Sequence, residues 1–153
     1  MKRSSYFLTR LGIPAGVLFI FYFLPFTFST AQHPKTKYTS TSKKAIKLYE
    51  SAIEHYNNVE YKDAEANLLK AVKEDSLFVE AYTLLGELYD FTRRYDPAEQ
   101  AYKKAISVFP EFFPGNFFNL ANIEFFKARY ADALEHYQKF IAYPDIAAKH
   151  LNH

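Results

Sequence analysis

The stretch YKDAEANLLKAV at residues 61–72 returns as YDPAEQAYKKAI at 95–106 and as YADALEHYQKFI at 130–141. The copies start 34 and 35 residues apart. Self-similarity at such a period marks stacked supersecondary units, none of which buries its own apolar face alone. Within each period the apolar residues recur three and four apart, the spacing of one helix face, over two successive stretches. The pattern predicts helices near 43–57, 61–74, 78–91, 116–128 and 131–142, with a further one opened by an Asp96 cap and Pro97 at its first turn and closed by Pro110. Ala52, Gly86 and Ala121 fall on the first helices of the three units, and Ala64, Ala98 and Ala133 on the second. Small residues are needed there because neighbouring backbones approach closely and a larger side chain overpacks the contact. Ala71 and Ala105 play the same part toward the following unit.

The middle unit reads Tyr82, Leu85, Gly86, Tyr89, Ala98, Tyr102, Ala105 and Pro110, and at these positions it resembles the tetratricopeptide repeat. The first unit matches at Ala52, Ala64, Leu68 and Ala71, with Leu48 in place of the large aromatic and Ser76 in place of proline. The third matches at Phe117, Leu120, Ala121, Ala133 and Tyr137, whereas Glu124 departs from the expected aromatic. The resemblance implies an all-α fold, a right-handed α-solenoid of three helix-turn-helix repeats over 42–144 (about 45–78, 79–112 and 113–144), with a partial seventh helix in 145–153. It also implies a concave face, lined by the first helices, that takes a protein or peptide.

FPEFFPGNFFNLANIEFF, residues 109–126, holds seven phenylalanines, interrupted by enough Asn and Glu to exclude a membrane span. On a wheel of 100° per residue Phe117, Leu120, Ala121 and Ile123 share the packing arc. Phe118, Asn122, Phe125 and Phe126 turn to the inner face, while Phe109, Phe112 and Phe113 are expected to shield the seam between units. The same spacing puts Tyr49, Ile53, Tyr56 and Asn57 of the first unit on that face, and Thr83, Glu87, Asp90 and Phe91 of the second. The expected surface is aromatic with an acidic centre, suited to a peptide with apolar anchors and a basic residue. It lacks the Lys and Arg of repeat proteins that clamp the C-terminal carboxylate of chaperones; Asn119 alone resembles part of such a clamp. The alternative is that half of these aromatics complete the packing.

Phe140 takes the place of Ala71 and Ala105, and too few residues follow to cover the last helix. Tyr137, Phe140 and Ile141 are therefore expected to form an exposed docking edge for a second copy or a downstream domain. With the leader and tether below, the FxxYP-like stretch at 140–144 resembles the start of longer cell-envelope proteins with a β-propeller and an OmpA-like domain. That resemblance implies a structural adapter.

Lys2, Arg3 and Arg10 followed by an uncharged run at 11–28 and small residues at 29–31 form an export signal, residues 1–31, with cleavage after Ala31. The alternative is an uncleaved N-terminal anchor, the one route to membrane association. Residues 32–41 read as a polar tether. Localisation is expected to be the periplasm or an outer-membrane-associated envelope. Without its leader the chain has sixteen Lys and Arg against seventeen Asp and Glu, which argues against nucleic acid. Lys43-Lys44, Arg93-Arg94 and Lys103-Lys104 read as solvated surface. Four glycines without a phosphate loop, no cysteine, and no catalytic Ser or His motif point to no enzyme, cofactor or small-molecule substrate. His150 and His153 lack a third metal ligand, and His55 and His136 read as ordinary helix residues, so no metal is expected.

Overall fold

Six helices paired as three hairpins fill the residues that the computed structural model describes, 37–144. They are α1 (Lys43–Asn57), α2 (Tyr61–Glu74), α3 (Val79–Phe91), α4 (Tyr95–Val108), α5 (Gly115–Phe126) and α6 (Tyr130–Ile141). No strand occurs among the described residues. Each helix packs chiefly on its chain neighbours, so the hairpins stack into an all-α solenoid. The expected leader and the partial seventh helix lie outside the described residues.

Helix ends differ from the sequence expectation where the cap was misplaced. α4 begins at Tyr95, with Arg94 as its cap residue, so Asp96 is not the cap and Pro97 lies two residues further in than expected. The cause is a turn of fixed geometry that recurs in every hairpin. Val59, Arg93 and Ala128 have φ of 66°, 57° and 58°, in the left-handed region. Behind them the amides of Glu60, Arg94 and Arg129 donate to the carbonyls of His55, Tyr89 and Glu124. This closes the first helix of each hairpin with a Schellman-type cap, at a position where glycine is usual and none is present.

The small residues sit where the close contacts are. Ala45, Ala52, Ala64, Ala71, Ala98, Ala105 and Ala121 are wholly buried. At Gly86 a Cβ would stand 2.5 Å from Cε1 of Tyr102, whose ring is itself 1% exposed. Glycine there is a condition of the α3–α4 approach.

Two ion pairs lock successive repeats. Arg94 donates to both carboxylate oxygens of Glu65, at 3.1 and 2.7 Å, while its guanidinium lies 4.5 Å from the Tyr89 ring centre. One repeat later Arg129 reaches Glu99 at 2.6 Å, joined by Lys103 at 2.6 Å and Lys127 at 2.8 Å. Lys127 also donates to Asp96. Burial pushes the Glu99 carboxyl up, but hydrogen bonds from Arg129, Lys103 and Lys127 outweigh it and hold the carboxyl at about 2. Arg94 and Lys103, expected as solvated surface, thus carry structural pairs. In the first repeat Glu60 stands where Arg94 and Arg129 stand in the others, and it meets His55 Nδ1 at 2.5 Å. In the third, Glu124 occupies the place of Tyr89; it is 1% exposed and meets His136 Nδ1 at 2.7 Å.

Residues 38–40, expected as tether, are docked. Tyr38 packs edge-on against Tyr49 and Phe78, and the Ser40 hydroxyl donates to Asp75 at 2.6 Å. Thr39 donates its amide to Glu80 at 2.8 Å and its hydroxyl to the other carboxylate oxygen. The same hydroxyl accepts the Val79 amide at 3.0 Å. α3, whose own cap residue Phe78 has no capping side chain, is therefore capped by Thr39 from forty residues upstream.

Candidate functional site

The first helices α1, α3 and α5 present one face assembled from positions that recur with the repeat. Two adjoining cavities open on it. The first, about 200 Å³, is lined by Tyr49 of α1, Glu80, Thr83, Leu84 and Glu87 of α3, and Phe112 and Phe113 of the following loop. The second, about 420 Å³, is lined by Tyr56, Glu87, Asp90, Phe91, Tyr102 and Asn119. Glu87 borders both.

Of the residues expected on this face, Tyr49, Tyr56, Thr83, Glu87, Asp90 and Phe91 line a cavity. Ile53 does not; it is half-buried against the core. Phe118, Phe125 and Phe126 are exposed by 42%, 53% and 66%, as their place on the wheel requires. Their contacts differ. Phe118 lies 5.7 Å from the Tyr137 ring and 5.3 Å from Phe140, and the Tyr137 hydroxyl donates to Asn122 at 2.6 Å. Phe126 stacks on Tyr95 at 5.8 Å, and Phe91 meets Tyr61 at 5.3 Å, so both reach back to the preceding hairpin. Phe125 completes a row with Phe126 and Tyr130.

The expected docking edge is corrected by the same contacts. Tyr137 and Phe140 are only half-buried rather than exposed, because Asn122 and Phe118 draw them toward the inner face. Ile141 is exposed by 55%, and Leu134 by 58%. Leu134 stands where Glu65 and Glu99 make the ion-pair locks of the first two repeats.

Three cavity residues escaped the sequence expectation for this face. Phe112 and Phe113, assigned to the seam, line the first cavity; Tyr102, assigned to the core, lines the second beside Asn119. Tyr102 belongs to α4, and only its length lets it pass Gly86 to reach the far side of α3. That glycine was the available signal.

The electrostatics are one-sided. Among the described residues neither Glu87 nor Asp90 has an ion-pair partner, and burial pushes both carboxyls up. Burial also pushes the Tyr102 phenol up, with the negative charge of Glu87 and then Asp90 adding to it. Tyr49 is pushed up to about 12 by burial, with Glu80 adding to it. His55, Glu60 and Asp63 bring ligand atoms within 4.8 Å of one another. This cluster lies at the turn between α1 and α2, with His55 half-buried and Glu60 and Asp63 exposed.

A face built this way, on stacked helical hairpins, defines a helical repeat scaffold. Residues 79–112 match the tetratricopeptide repeat family, and the chain has the fold of solved tetratricopeptide-repeat structures. Among solved structures, MamA superposes with a TM-score of 0.63 at 23% identity, over 72% of this chain and 62% of that one. The chain thus spans about three-fifths of the length of MamA. The Yersinia enterocolitica secretion chaperone SycD, in complex with a peptide of the translocator YopD, gives 0.63 at 19% identity, over 73% and 88%. The second tetratricopeptide domain of Spaghetti (RPAP3), bound to the HSP90 peptide SRMEEVD, gives 0.61 at 14%, over 65% and 91%. No curated protein is similar enough in sequence to be matched. Among the described residues no helix is long and apolar enough to cross a membrane.

Proposed function

We propose that this chain is a protein-interaction module that holds a peptide, or an extended segment of a partner, along the face formed by α1, α3 and α5. The observation that carries the proposal is the pair of adjoining cavities, where Tyr49, Tyr56, Phe112 and Phe113 offer rigid apolar area around carboxylates that no Lys or Arg among the described residues neutralises. Rigid aromatics give contact area at small entropic cost, and a preformed concave surface reduces the cost of ordering the complex. Two solved structures of the same fold contain peptides, which supports the class of ligand. The partner proposed here differs in charge from the acidic SRMEEVD, because this face offers no Lys or Arg. We propose further that the module is exported to the periplasm or cell envelope, on the strength of residues 1–31, and that it acts without catalysis.

A second proposal is an adapter that docks through its last helix, supported by the exposed Leu134 and Ile141 on α6. Peptides selected from a displayed library on the full chain separate the two. Fluorescence anisotropy is expected to show binding reduced at least tenfold by Tyr49→Ala with Phe118→Ala and unchanged by Leu134→Asp with Ile141→Asp. The opposite pattern overturns the inner-face assignment. Phe140 is unsuitable as the edge probe, since its ring contacts Phe118.

A further inference from the structure

We propose that the second cavity is a receptor for one arginine or lysine side chain of the bound peptide, and that it fixes where along the solenoid the peptide sits. This rests on the inner-face proposal above. The inner face carries three carboxylates on α3: Glu80, Glu87 and Asp90. Glu80 is already satisfied, since the Thr39 amide and hydroxyl donate to its two oxygens. Glu87 and Asp90, about two and three helical turns further on, have neither an ion pair nor a side-chain hydrogen bond from any described residue, although burial penalises their charge. Carboxylates left this way favour a cation supplied from outside.

The walls fit the same ligand. Tyr56 and Phe91 line the cavity with the carboxylates, over the buried Tyr102, and aromatic faces attract ammonium and guanidinium groups while accepting the apolar stem. Asn119 adds an amide at the far side, and a cavity of about 420 Å³ accommodates a long side chain with its solvating water. Arg94 is committed to Glu65, and Lys103, Lys127 and Arg129 to Glu99, and no described Lys or Arg pairs with Glu87 or Asp90. Charge complementarity therefore selects a basic residue from the partner. The neighbouring cavity, walled by Tyr49, Leu84, Phe112 and Phe113, takes an apolar side chain next to it.

The test uses twelve-residue peptides selected from a displayed library on the full chain, then measured in solution. The expected peptides carry Arg or Lys at a fixed distance from an apolar residue. Replacing that Arg by citrulline, or the Lys by norleucine, is expected to weaken binding at least tenfold. The isosteric Glu87→Gln with Asp90→Asn is expected to do the same, with little further loss when both changes are combined. Peptides without a fixed basic residue overturn the cation receptor. So does binding that falls with Tyr49→Ala and Phe118→Ala but not with Glu87→Gln and Asp90→Asn, and this result leaves the inner-face proposal standing. Absence of any enrichment, or binding unaffected by all four substitutions, overturns both.

Discussion

Gly86→Ala is the most informative single change to the scaffold. Its Cβ would meet three atoms of the Tyr102 ring at 2.5, 2.7 and 2.8 Å. The ring is 1% exposed, so any shift that relieves the contact disturbs its packing. Overpacking of this kind costs ~1–3 kcal/mol, and an approach this close to a rigid ring belongs in the upper half of that range. Against it stands the gain of ~1 kcal/mol from replacing glycine by alanine inside a helix. The net expectation is destabilisation by ~1–2 kcal/mol, a fall of several degrees in Tm for a domain of this size. Urea denaturation followed by circular dichroism measures it, and a second background separates the two contributions. With Tyr102→Val the ring is gone and the helix-propensity gain is unopposed. Gly86→Ala is then expected to stabilise by ~0.5–1 kcal/mol, an interaction energy of ~2–3 kcal/mol. Stabilisation by Gly86→Ala in the natural background, or additivity of the two changes within ~0.5 kcal/mol, refutes close helix approach as the reason for glycine here.

Three other outcomes follow from particular contacts. Val59→Gly relieves a β-branched residue at φ 66° that is 66% exposed, and is expected to raise stability by ~1 kcal/mol in the same denaturation assay. The Glu99 cluster makes stability fall in acid. Its folded carboxyl is held at about 2 against an ordinary 4.5, so its contribution is complete above about pH 4.5 and is lost as pH falls from there toward 2. After allowance for solvent around its lysine partners this is ~2 kcal/mol, and Glu99→Gln is expected to flatten the stability profile across that window. His136→Leu leaves Glu124, 1% exposed, without its close partner and is expected to cost ~2–4 kcal/mol, whereas His136→Gln keeps a donor and costs less.

The repeat and its helices were legible because period and small-residue spacing are local properties of a one-dimensional architecture. Helix bounds such as 43–57 and 61–74 follow from periodicity alone. The turn was not legible, since Val59, Arg93 and Ala128 adopt a glycine conformation without glycine, and only the Schellman-type hydrogen bonds explain it. The locks Glu65–Arg94 and Glu99–Arg129 join residues about one repeat apart, so each partner alone looks like an ordinary surface charge. Thr39 has the composition of a linker, and its role appears only when Val79 and Glu80 are placed beside it. On the candidate face the wheel found Tyr49, Glu87 and Asp90, which project directly from the first helices. It missed Tyr102, which enters from the other helix of its hairpin, and Phe112 and Phe113, which enter from a loop without a helical period.

The most direct measurement is amide chemical-shift mapping of the full chain with a library-selected peptide titrated to saturation. A peptide held on the inner face moves resonances around Tyr49, Thr83, Glu87, Asp90 and Phe118, and leaves Leu134 and Ile141 in place. Shifts gathered on the outer side of α6, with Glu87 and Asp90 silent, would contradict it.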